Sequence, residues 1–334
     1  MVILSVEDLR VSFATDGGVV RAVDGVSFDL AAGEILAVVG ESGSGKSVTA
    51  QTVLGLTRAP NATITGTVRF DGRDLNALDD AALRQVRGER IAMIFQDPMT
   101  SLNPVYRVGD QIVEMIRAHR DVSRREARER AIELLTAVGI PNPDRRAAHY
   151  PHEFSGGMRQ RVMIAMALAL DPDVLIADEP TTALDVTVQA QILRLLARLN
   201  AERGLAVVLI THDLGVVAEI ADRVAVMYAG QIVEDTTLEG AFYDPRHPYT
   251  WGLLGSIARL DEDRPARLAQ IAGQPPSLLS PPTGCRFAAR CPHQFDRCSE
   301  PPPLNGDRCW LPLEDKRRLR MVDGRIGLRK AVAL

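Results

Sequence analysis

Cysteine is absent from the first 284 residues of the chain, and no apolar run is long enough to cross a bilayer. A membrane-spanning helix needs roughly 20 apolar residues, whereas the longest apolar stretches, residues 163–170 and 174–177, have the length of core elements. The amino terminus, MVILSVEDLR, carries no basic leader and no small-residue cleavage site. We therefore expect a cytosolic chain that does not span a membrane by itself.

An excess of positive charge is also missing. The chain carries a formal net charge of −4, so the broad positive field that attracts a phosphate backbone is absent and nucleic acid is not an expected partner. Apolar residues make up 46% and charged residues 25% of the 334 residues, which is the composition of a globular protein. This length gives room for one large domain and an appendage.

Two kinds of strand pattern indicate the fold class. Alternating, β-branched segments predict a small antiparallel layer at residues 4–13, 20–30 and 65–70. Short, nearly all-apolar runs are typical of strands buried on both faces of a parallel α/β sheet. These runs occupy residues 35–39, 91–95, 174–177 and 207–210. The predicted fold class is α/β, with a parallel-sheet core.

Helical periodicity follows the early strands. Residues 109–120 and 123–138 have helical spacing, with Ser123 and Glu126 as a capping-box pair. These segments predict a helical subdomain at about residues 100–157, inserted in the sheet.

Proline content changes near residue 240. Beyond that point the chain is rich in proline and contains all the cysteines, a texture that differs from the periodic segments before it. We expect a main domain over residues 1–240 and a C-terminal extension over residues 241–334.

One eight-residue segment has the pattern of a phosphate-binding loop. It reads Gly40-Glu41-Ser42-Gly43-Ser44-Gly45-Lys46-Ser47 and matches G-x-x-x-x-G-K-[ST] between an apolar strand and a helical stretch. The glycines and the helix start, which includes Val48, would turn backbone N–H groups toward the β- and γ-phosphates of ATP. Lys46 would neutralise those phosphates, and the Ser47 hydroxyl would bind Mg²⁺. A Gly/Ser-rich turn without a ligand is the alternative.

Two adjacent acids end another apolar strand. Residues 174–177 lead into Asp178 and Glu179. Asp178 would hold Mg²⁺, directly or through water, while Glu179 would polarise the attacking water as a general base. Adjacent acids at a strand end are often just a solvated loop, but the phosphate loop upstream favours a catalytic pair.

Further motifs indicate a family. They are Ser155-Gly156-Gly157-Met158-Arg159-Gln160 before a helical run, Gln96 after residues 91–95, Ala183-Leu184-Asp185, and His212 after residues 207–210. In this order they resemble the signature, Q-loop, D-loop and switch histidine of ATP-binding-cassette (ABC) transporter ATPases. The resemblance implies an ABC-type P-loop nucleotide-binding domain that hydrolyses ATP.

The same resemblance implies roles for single residues. Gln96 would sense the γ-phosphate through Mg²⁺ and couple to membrane subunits, and His212 would contact the γ-phosphate and position the water. Phe13 matches the aromatic position on which adenine stacks. By themselves, a strand-end histidine or phenylalanine is more often structural.

In the family, the signature meets the nucleotide of a partner subunit, so two chains sandwich each ATP. A Ser-Gly-Gly turn at a helix start offers N–H groups and a hydroxyl to an anion, although such a turn is often an ordinary loop. Met158 and Phe154 replace the family's usual Gln and Leu. The residues of this chain that would contribute to the partner's nucleotide site are Ser155, Gly156, Gly157 and Asp185.

Two segments resemble the peptide-importer branch of the family: residues 95–104, FQDPMTSLNP, and residues 247–250, HPYT. The resemblance implies an ATPase at the cytoplasmic face of the membrane. Its partners would be two membrane-spanning permease subunits, a second and related ATPase, and indirectly an extracytoplasmic binding protein. The cargo would be dipeptides or oligopeptides, with nickel or another small solute as the alternative. A soluble ABC ATPase acting on DNA or ribosomes, or a cassette that binds ATP without hydrolysing it, remains a competing class.

The cysteines are clustered, which predicts local ligation rather than disulfides across the fold. They are Cys285, Cys291, Cys298 and Cys309, and none forms a C-x-x-C pair. Four thiolates can hold Zn²⁺ or an iron–sulfur cluster. The spacing resembles a C-terminal [4Fe–4S] motif of peptide-importer ATPases, with Zn²⁺, disulfides or unliganded thiols as alternatives.

Overall fold

The computed structural model describes residues 1–96, 101–182, 184–256 and 271–322. The chain divides into two units. The first unit consists of Met1–Leu4, Leu30–Ile35 and Phe70–Ile210, and the second unit consists of Ser5–Asp29, Leu36–Arg69 and Thr211–Leu334.

The described residues form both strands and helices. The strands are β1 (Val2–Thr15), β2 (Gly18–Ala31), β3 (Ile35–Val39), β4 (Ala62–Phe70), β5 (Arg73–Asp74), β6 (Ile91–Ile94), β7 (Val174–Asp178), β8 (Ala206–Thr211), β9 (Arg223–Tyr228) and β10 (Gln231–Thr237). The helices are α1 (Lys46–Val53), α2 (Asp80–Val86), α3 (Val108–His119), α4 (Arg124–Ala137), α5 (Pro143–Arg146), α6 (Gly156–Ala167), α7 (Val186–Arg203), α8 (Leu214–Ile220), α9 (Leu238–Tyr243), α10 (Pro248–Gly255) and α11 (Leu313–Val322).

The first unit contains the strand that leads into the predicted acids and its two neighbours. Strands β8, β7 and β6 are neighbours in that order, and both pairs are parallel. Every residue of β7 is buried, so the strand is apolar throughout until Asp178, the pattern of a parallel strand covered on both faces. The parallel core predicted from these runs is therefore confirmed.

Helices α3 and α4 of the first unit confirm the helical periodicity. The Ser123 Oγ accepts a hydrogen bond of 3.2 Å from the Glu126 N–H, and the Glu126 carboxylate accepts one of 2.9 Å from the Ser123 N–H. This reciprocal capping box starts α4. Helix α3 packs on α4, and α4 packs on α6. The subdomain bounds of about 100–157 stay a prediction.

The second unit contains the phosphate-loop strand. Strand β3 lies parallel to β9, and β9 pairs antiparallel with β10. The long strands β1 and β2 form a hairpin around Asp16 and Gly17, and β1 also neighbours β4. Gly18, at the start of β2, has a φ of 121°, a conformation that glycine adopts at no steric cost.

The core of the second unit includes residues beyond position 240. Val39 of β3 and Tyr228 of β9 belong to one buried cluster with Tyr249 and Phe287. The Tyr228 and Tyr249 ring centroids lie 4.5 Å apart. The division into residues 1–240 and 241–334 stays a prediction. Within the described residues, no helix combines the length and apolar character that crossing a membrane requires.

Candidate nucleotide-binding site

The loop between β3 and α1 has the shape that its glycines permit. Gly40, Gly43 and Gly45 have φ values of 155°, 76° and 98°, which side-chain-bearing residues rarely adopt. A Cβ on Gly40 would lie 2.0 Å from the Met227 carbonyl oxygen, and one on Gly45 would lie 2.4 Å from that of Ala22. The backbone therefore approaches its neighbours too closely for any other residue at these two positions.

Lys46 lies inside this loop. Its side chain is buried, and Nζ donates hydrogen bonds of 2.7 Å to the Gly40 carbonyl and 3.0 Å to the Glu41 carbonyl. Ser44 is also buried, and its carbonyl accepts a 2.9 Å bond from the Gly230 N–H. The ammonium group is thus held beside the loop backbone, at the first residue of α1. Ser42 lies within the same loop, and Ser47 and Val48 follow Lys46 in the first turn of α1.

Glu41 is fixed from outside the loop. Its N–H donates a 2.9 Å hydrogen bond to the Tyr249 hydroxyl. Its carboxylate accepts two bonds from the Arg290 guanidinium, at 2.7 and 3.0 Å. Sequence reasoning did not identify Arg290, because a residue 249 positions away carries no local signal of this contact.

The carboxylate of Glu179 is held by two donors in the first unit. Gln96 Nε2 donates to Glu179 Oε2 at 3.1 Å, and the Thr182 hydroxyl donates to the same oxygen at 2.8 Å. Asp178, one position earlier, is only 2% exposed. The structure thus brings the predicted Gln96 and Glu179 together and adds Thr182, which sequence reasoning missed.

The signature residues start α6 as predicted. Ser155 is the N-cap, and its Oγ accepts a 3.4 Å bond from the Met158 N–H. A Cβ on Gly157 would lie 2.4 Å from Cγ1 of Val188, so α6 approaches α7 closely there. Asp185 caps α7 through a 2.9 Å bond from the Val188 N–H, and Gly156 lies in the first turn of α6.

Two other predicted residues lie in the second unit. Phe13 is half-buried near the end of β1, and His212 is exposed immediately after β8. Residues 97–100 of the predicted Q-loop segment and Ala183 of the predicted D-loop lie outside the described residues.

Comparison with known proteins identifies the family. A family model described as "ABC transporter" matches residues 23–182. The dipeptide transport ATP-binding protein DppD of Bacillus subtilis is 55% identical over 92% of this chain and 94% of its own length. The chain belongs to the ABC transporter ATP-binding proteins. A second model, "Oligopeptide/dipeptide transporter, C-terminal region", matches residues 233–298, which places this ABC protein in the peptide-transporter branch and confirms the resemblance seen in its sequence.

A second relative and a solved structure are also similar to this chain. The oligopeptide transport ATP-binding protein OppD of Salmonella typhimurium is 52% identical over 94% of this ABC protein and 95% of its own length. A dimeric, post-hydrolysis structure of the cassette MJ0796 bound to ADP and Pi covers 70% of this chain and 98% of that chain. Its TM-score is 0.64 and its sequence identity 30%. The expected ABC-type P-loop fold is confirmed.

The four cysteines of this ABC protein line one narrow cavity, of about 10 Å³, together with Phe287 and Trp310. All four are free thiols. Burial raises the pKa of the Cys291 thiol to about 12 and that of the Cys309 thiol to about 11. Across the ranges that the structure describes, no group of three His, Cys, Asp or Glu side chains is arranged to hold a metal ion. The cavity brings the predicted thiols together, but the metal itself has no support from this arrangement.

Proposed function

We propose that this chain hydrolyses ATP to energise the import of dipeptides or oligopeptides, as the ATP-binding subunit of an ABC transporter. The observation that carries the proposal is the pair of family matches on one chain, the transporter ATPase over residues 23–182 and the peptide-transporter region over residues 233–298. The phosphate loop supports it, because its glycine geometry and its buried lysine fit a triphosphate.

The phosphate loop binds the triphosphate. Its backbone N–H groups and the start of α1 face an anion favourably, and Lys46 adds a positive charge that is held at the loop by hydrogen bonds to Gly40 and Glu41. The residues that would hold Mg²⁺ are Ser47, Gln96 and Asp178, whose oxygens are of the type this ion prefers. When bound, Mg²⁺ would neutralise charge on the β- and γ-phosphates.

Glu179 is the general base. Hydrogen bonds from Gln96 and Thr182 orient its carboxylate, and a base must be oriented to accept a proton from the attacking water. His212 contacts the γ-phosphate and positions this water, a role taken from the family resemblance. Phe13 stacks on the adenine ring, again by that resemblance.

A second subunit completes each ATP site. The start of α6 carries two glycines and a serine N-cap, which suit an anion supplied by a partner chain. The related cassette MJ0796 is described as a dimer with ADP and Pi. The residues that contribute to the partner's nucleotide are Ser155, Gly156, Gly157 and Asp185. The partner is a related ATPase chain or a second copy of this one.

The other partners follow from membership of an importer. We place the chain at the cytoplasmic face of the membrane, against two membrane-spanning permease subunits, with an extracytoplasmic binding protein acting indirectly. The relatives are transport ATP-binding proteins by name. ATP binding would close the paired cassettes and hydrolysis would open them, and the helical subdomain would pass that motion to the membrane helices.

The four-thiol cavity is the proposed metal site. Cys285, Cys291, Cys298 and Cys309 would hold a [4Fe–4S] cluster, with Zn²⁺ as the alternative. The proposal rests on the chemistry of four sulfur ligands, which suits both groups, and on the resemblance of the cysteine spacing to the C-terminal motif of peptide-importer ATPases. A structural or regulatory role fits this site.

Uptake of labelled peptides tests the function. Cells carrying the wild-type chain should accumulate labelled di- to hexapeptides, and cells carrying Lys46→Ala should not, with both chains present in equal amounts. Labelled Ni²⁺ is the parallel substrate. Peptide uptake that is unchanged by Lys46→Ala contradicts the proposal, and Lys46-dependent uptake of Ni²⁺ alone would support the nickel alternative.

A further inference from the structure

Arg290 connects the cysteine-bearing segment to the phosphate loop. It directly precedes Cys291, and its guanidinium makes a bidentate ion pair with Glu41 of the loop, at 2.7 and 3.0 Å. The Arg290 side chain is only 5% exposed. A bidentate arginine–carboxylate pair fixes geometry as well as charge, and the Glu41 side chain is 28% exposed, so the pair is only partly shielded from solvent.

The guanidinium of Arg290 has further partners that determine its position. Nη1 donates to the Tyr228 hydroxyl at 3.2 Å, Nε donates to the Ala272 carbonyl at 3.0 Å, and Nη2 donates to the Ile271 carbonyl at 3.2 Å. The guanidinium carbon lies 5.7 Å from the centre of the Tyr228 ring. Arg290 is therefore held in place independently of Glu41, so it can act as a fixed anchor for the loop.

Tyr249 holds the backbone of the same loop residue. Its hydroxyl accepts the Glu41 N–H at 2.9 Å, and the side chain has no exposed surface. Its ring packs against those of Tyr228 and Phe287, with centroids 4.5 and 5.4 Å away. Both the main chain and the side chain of Glu41 are thus tied to residues beyond position 240.

The four-thiol cavity adjoins these residues through Phe287 and Cys291. Phe287 and Cys291 line it, and the Phe287 ring centre lies 6.0 Å from the Arg290 guanidinium carbon. Close-packed side chains leave few voids and transmit strain to their neighbours. A change in the cavity wall would therefore move the groups that hold Glu41.

We propose that Arg290 and Tyr249 are positioning residues for ATP binding, through which the cysteine-bearing segment holds the phosphate loop in its binding shape. The proposal rests on the ATPase function above. Neither residue needs to touch ATP. They act through Glu41, because small misplacements of phosphate-binding N–H groups weaken binding strongly.

The purified full chain tests this proposal through the Kd for ATP and through steady-state hydrolysis. Arg290→Gln should raise the Kd and KM for ATP by roughly tenfold while changing kcat by less than about twofold. Arg290→Lys should recover part of the loss, since it restores the charge without the bidentate geometry. Tyr249→Phe should shift the Kd in the same direction by a smaller factor. The control is Arg317→Gln, which removes an exposed ion pair with Asp244 and should leave ATP binding unchanged.

Cys291 tests the connection to the cavity. Cys291→Ala should raise the Kd for ATP in the wild-type background and should add much less in Arg290→Gln, because the two changes act along one route. Multiplicative effects of the two substitutions would overturn that connection.

The ATP-binding results of the Arg290, Tyr249 and Lys46 variants decide whether the positioning proposal holds. If folded Arg290→Gln and Tyr249→Phe both bind ATP with the wild-type Kd, the proposal is overturned. If Arg290→Gln does not fold, Tyr249→Phe decides, since it removes one oxygen and keeps the ring. If the ATPase function itself is wrong, the wild-type chain and Lys46→Ala will show the same lack of binding, a pattern that no positioning defect gives.

Discussion

The Thr182 hydroxyl donates a hydrogen bond of 2.8 Å to Oε2 of Glu179, the same oxygen that accepts from Gln96. Glu179 has a φ of 49°, a left-handed conformation that costs a residue with a side chain about 1–3 kcal/mol. Its N–H donates to the Ile210 carbonyl at 2.9 Å. The backbone and the carboxylate of the proposed base are therefore both held by neighbours, and we expect Thr182 to act as a positioning residue for it.

Thr182→Val should lower kcat for ATP hydrolysis by roughly tenfold with little change in KM, since it removes a donor to the base but no predicted contact to ATP. Thr182→Ser keeps the hydroxyl and should restore most of the rate. Steady-state kinetics over a range of pH would show the effect. Equal rates for the Val and Ser variants would mean that the hydroxyl has no positioning role.

Glu179→Gln should preserve ATP binding and reduce turnover by about 10²–10⁴-fold, the usual contribution of a general base. The amide keeps the size of the side chain but cannot accept the proton. Equilibrium binding of ATP and single-turnover hydrolysis measure the two effects separately. Hydrolysis at the wild-type rate would remove Glu179 from the base role.

Gly40→Ala should destabilise the protein by about 2 kcal/mol or more and weaken nucleotide binding. The added Cβ would meet the Met227 carbonyl oxygen at 2.0 Å, at a φ that alanine rarely adopts. Thermal melting and the Kd for ATP would report the change. Gly255→Ala is the matched control, because a Cβ there has nothing within 4 Å; a similar loss in both variants would argue against a specific clash.

The buried carboxyl of Glu234 should make the stability of the protein depend on pH. Burial raises the pKa of its carboxyl from 4.5 to about 7, against hydrogen bonds from Thr250 and the His247 and Arg246 N–H groups, which lower it. The native state then binds this proton more tightly than the unfolded state. The stability contributed by the protonated carboxyl is present below about pH 4.5 and is lost as pH rises toward about 7.

Glu234→Gln should remove this dependence. The melting temperature of the wild type minus that of Glu234→Gln should fall between pH 5 and pH 8, because only the wild type ionises there. Glu239→Gln, at an exposed position, serves as the control and should give a much flatter difference. A wild-type advantage that grows with pH would show that the native carboxyl is ionised and favourably bonded instead.

The proposed metal site at the four cysteines can be tested by metal content. Chain purified without oxygen should contain iron and acid-labile sulfide, and Cys298→Ser should lower both because one of four sulfur ligands is lost. Elemental analysis and absorbance spectroscopy measure the content. Zinc without iron would select the alternative, and four titratable thiols without either metal would contradict a metal site.

Motifs of contiguous residues could be predicted from the sequence, because their chemistry depends on neighbouring residues. Gly40, Gly45 and Lys46 lie within seven positions of one another, so the turn, the helix start and the cation follow from neighbouring residues alone. The capping box of Ser123 and Glu126 was predictable for the same reason. The short apolar runs predicted strands β3 and β7, because a strand buried on both faces consists almost entirely of apolar residues.

The tertiary structure alone decided which distant residues meet. Gln96 lies 83 positions from Glu179, and Arg290 lies 249 positions from Glu41; a single polar residue in the sequence does not reveal its partner. The sequence by itself determined the phosphate loop, the acids after β7 and the family, because these depend on local backbone geometry and residue order. The orientation of the base and the support of the loop were decided by packing, because only the folded chain brings those side chains within hydrogen-bond distance.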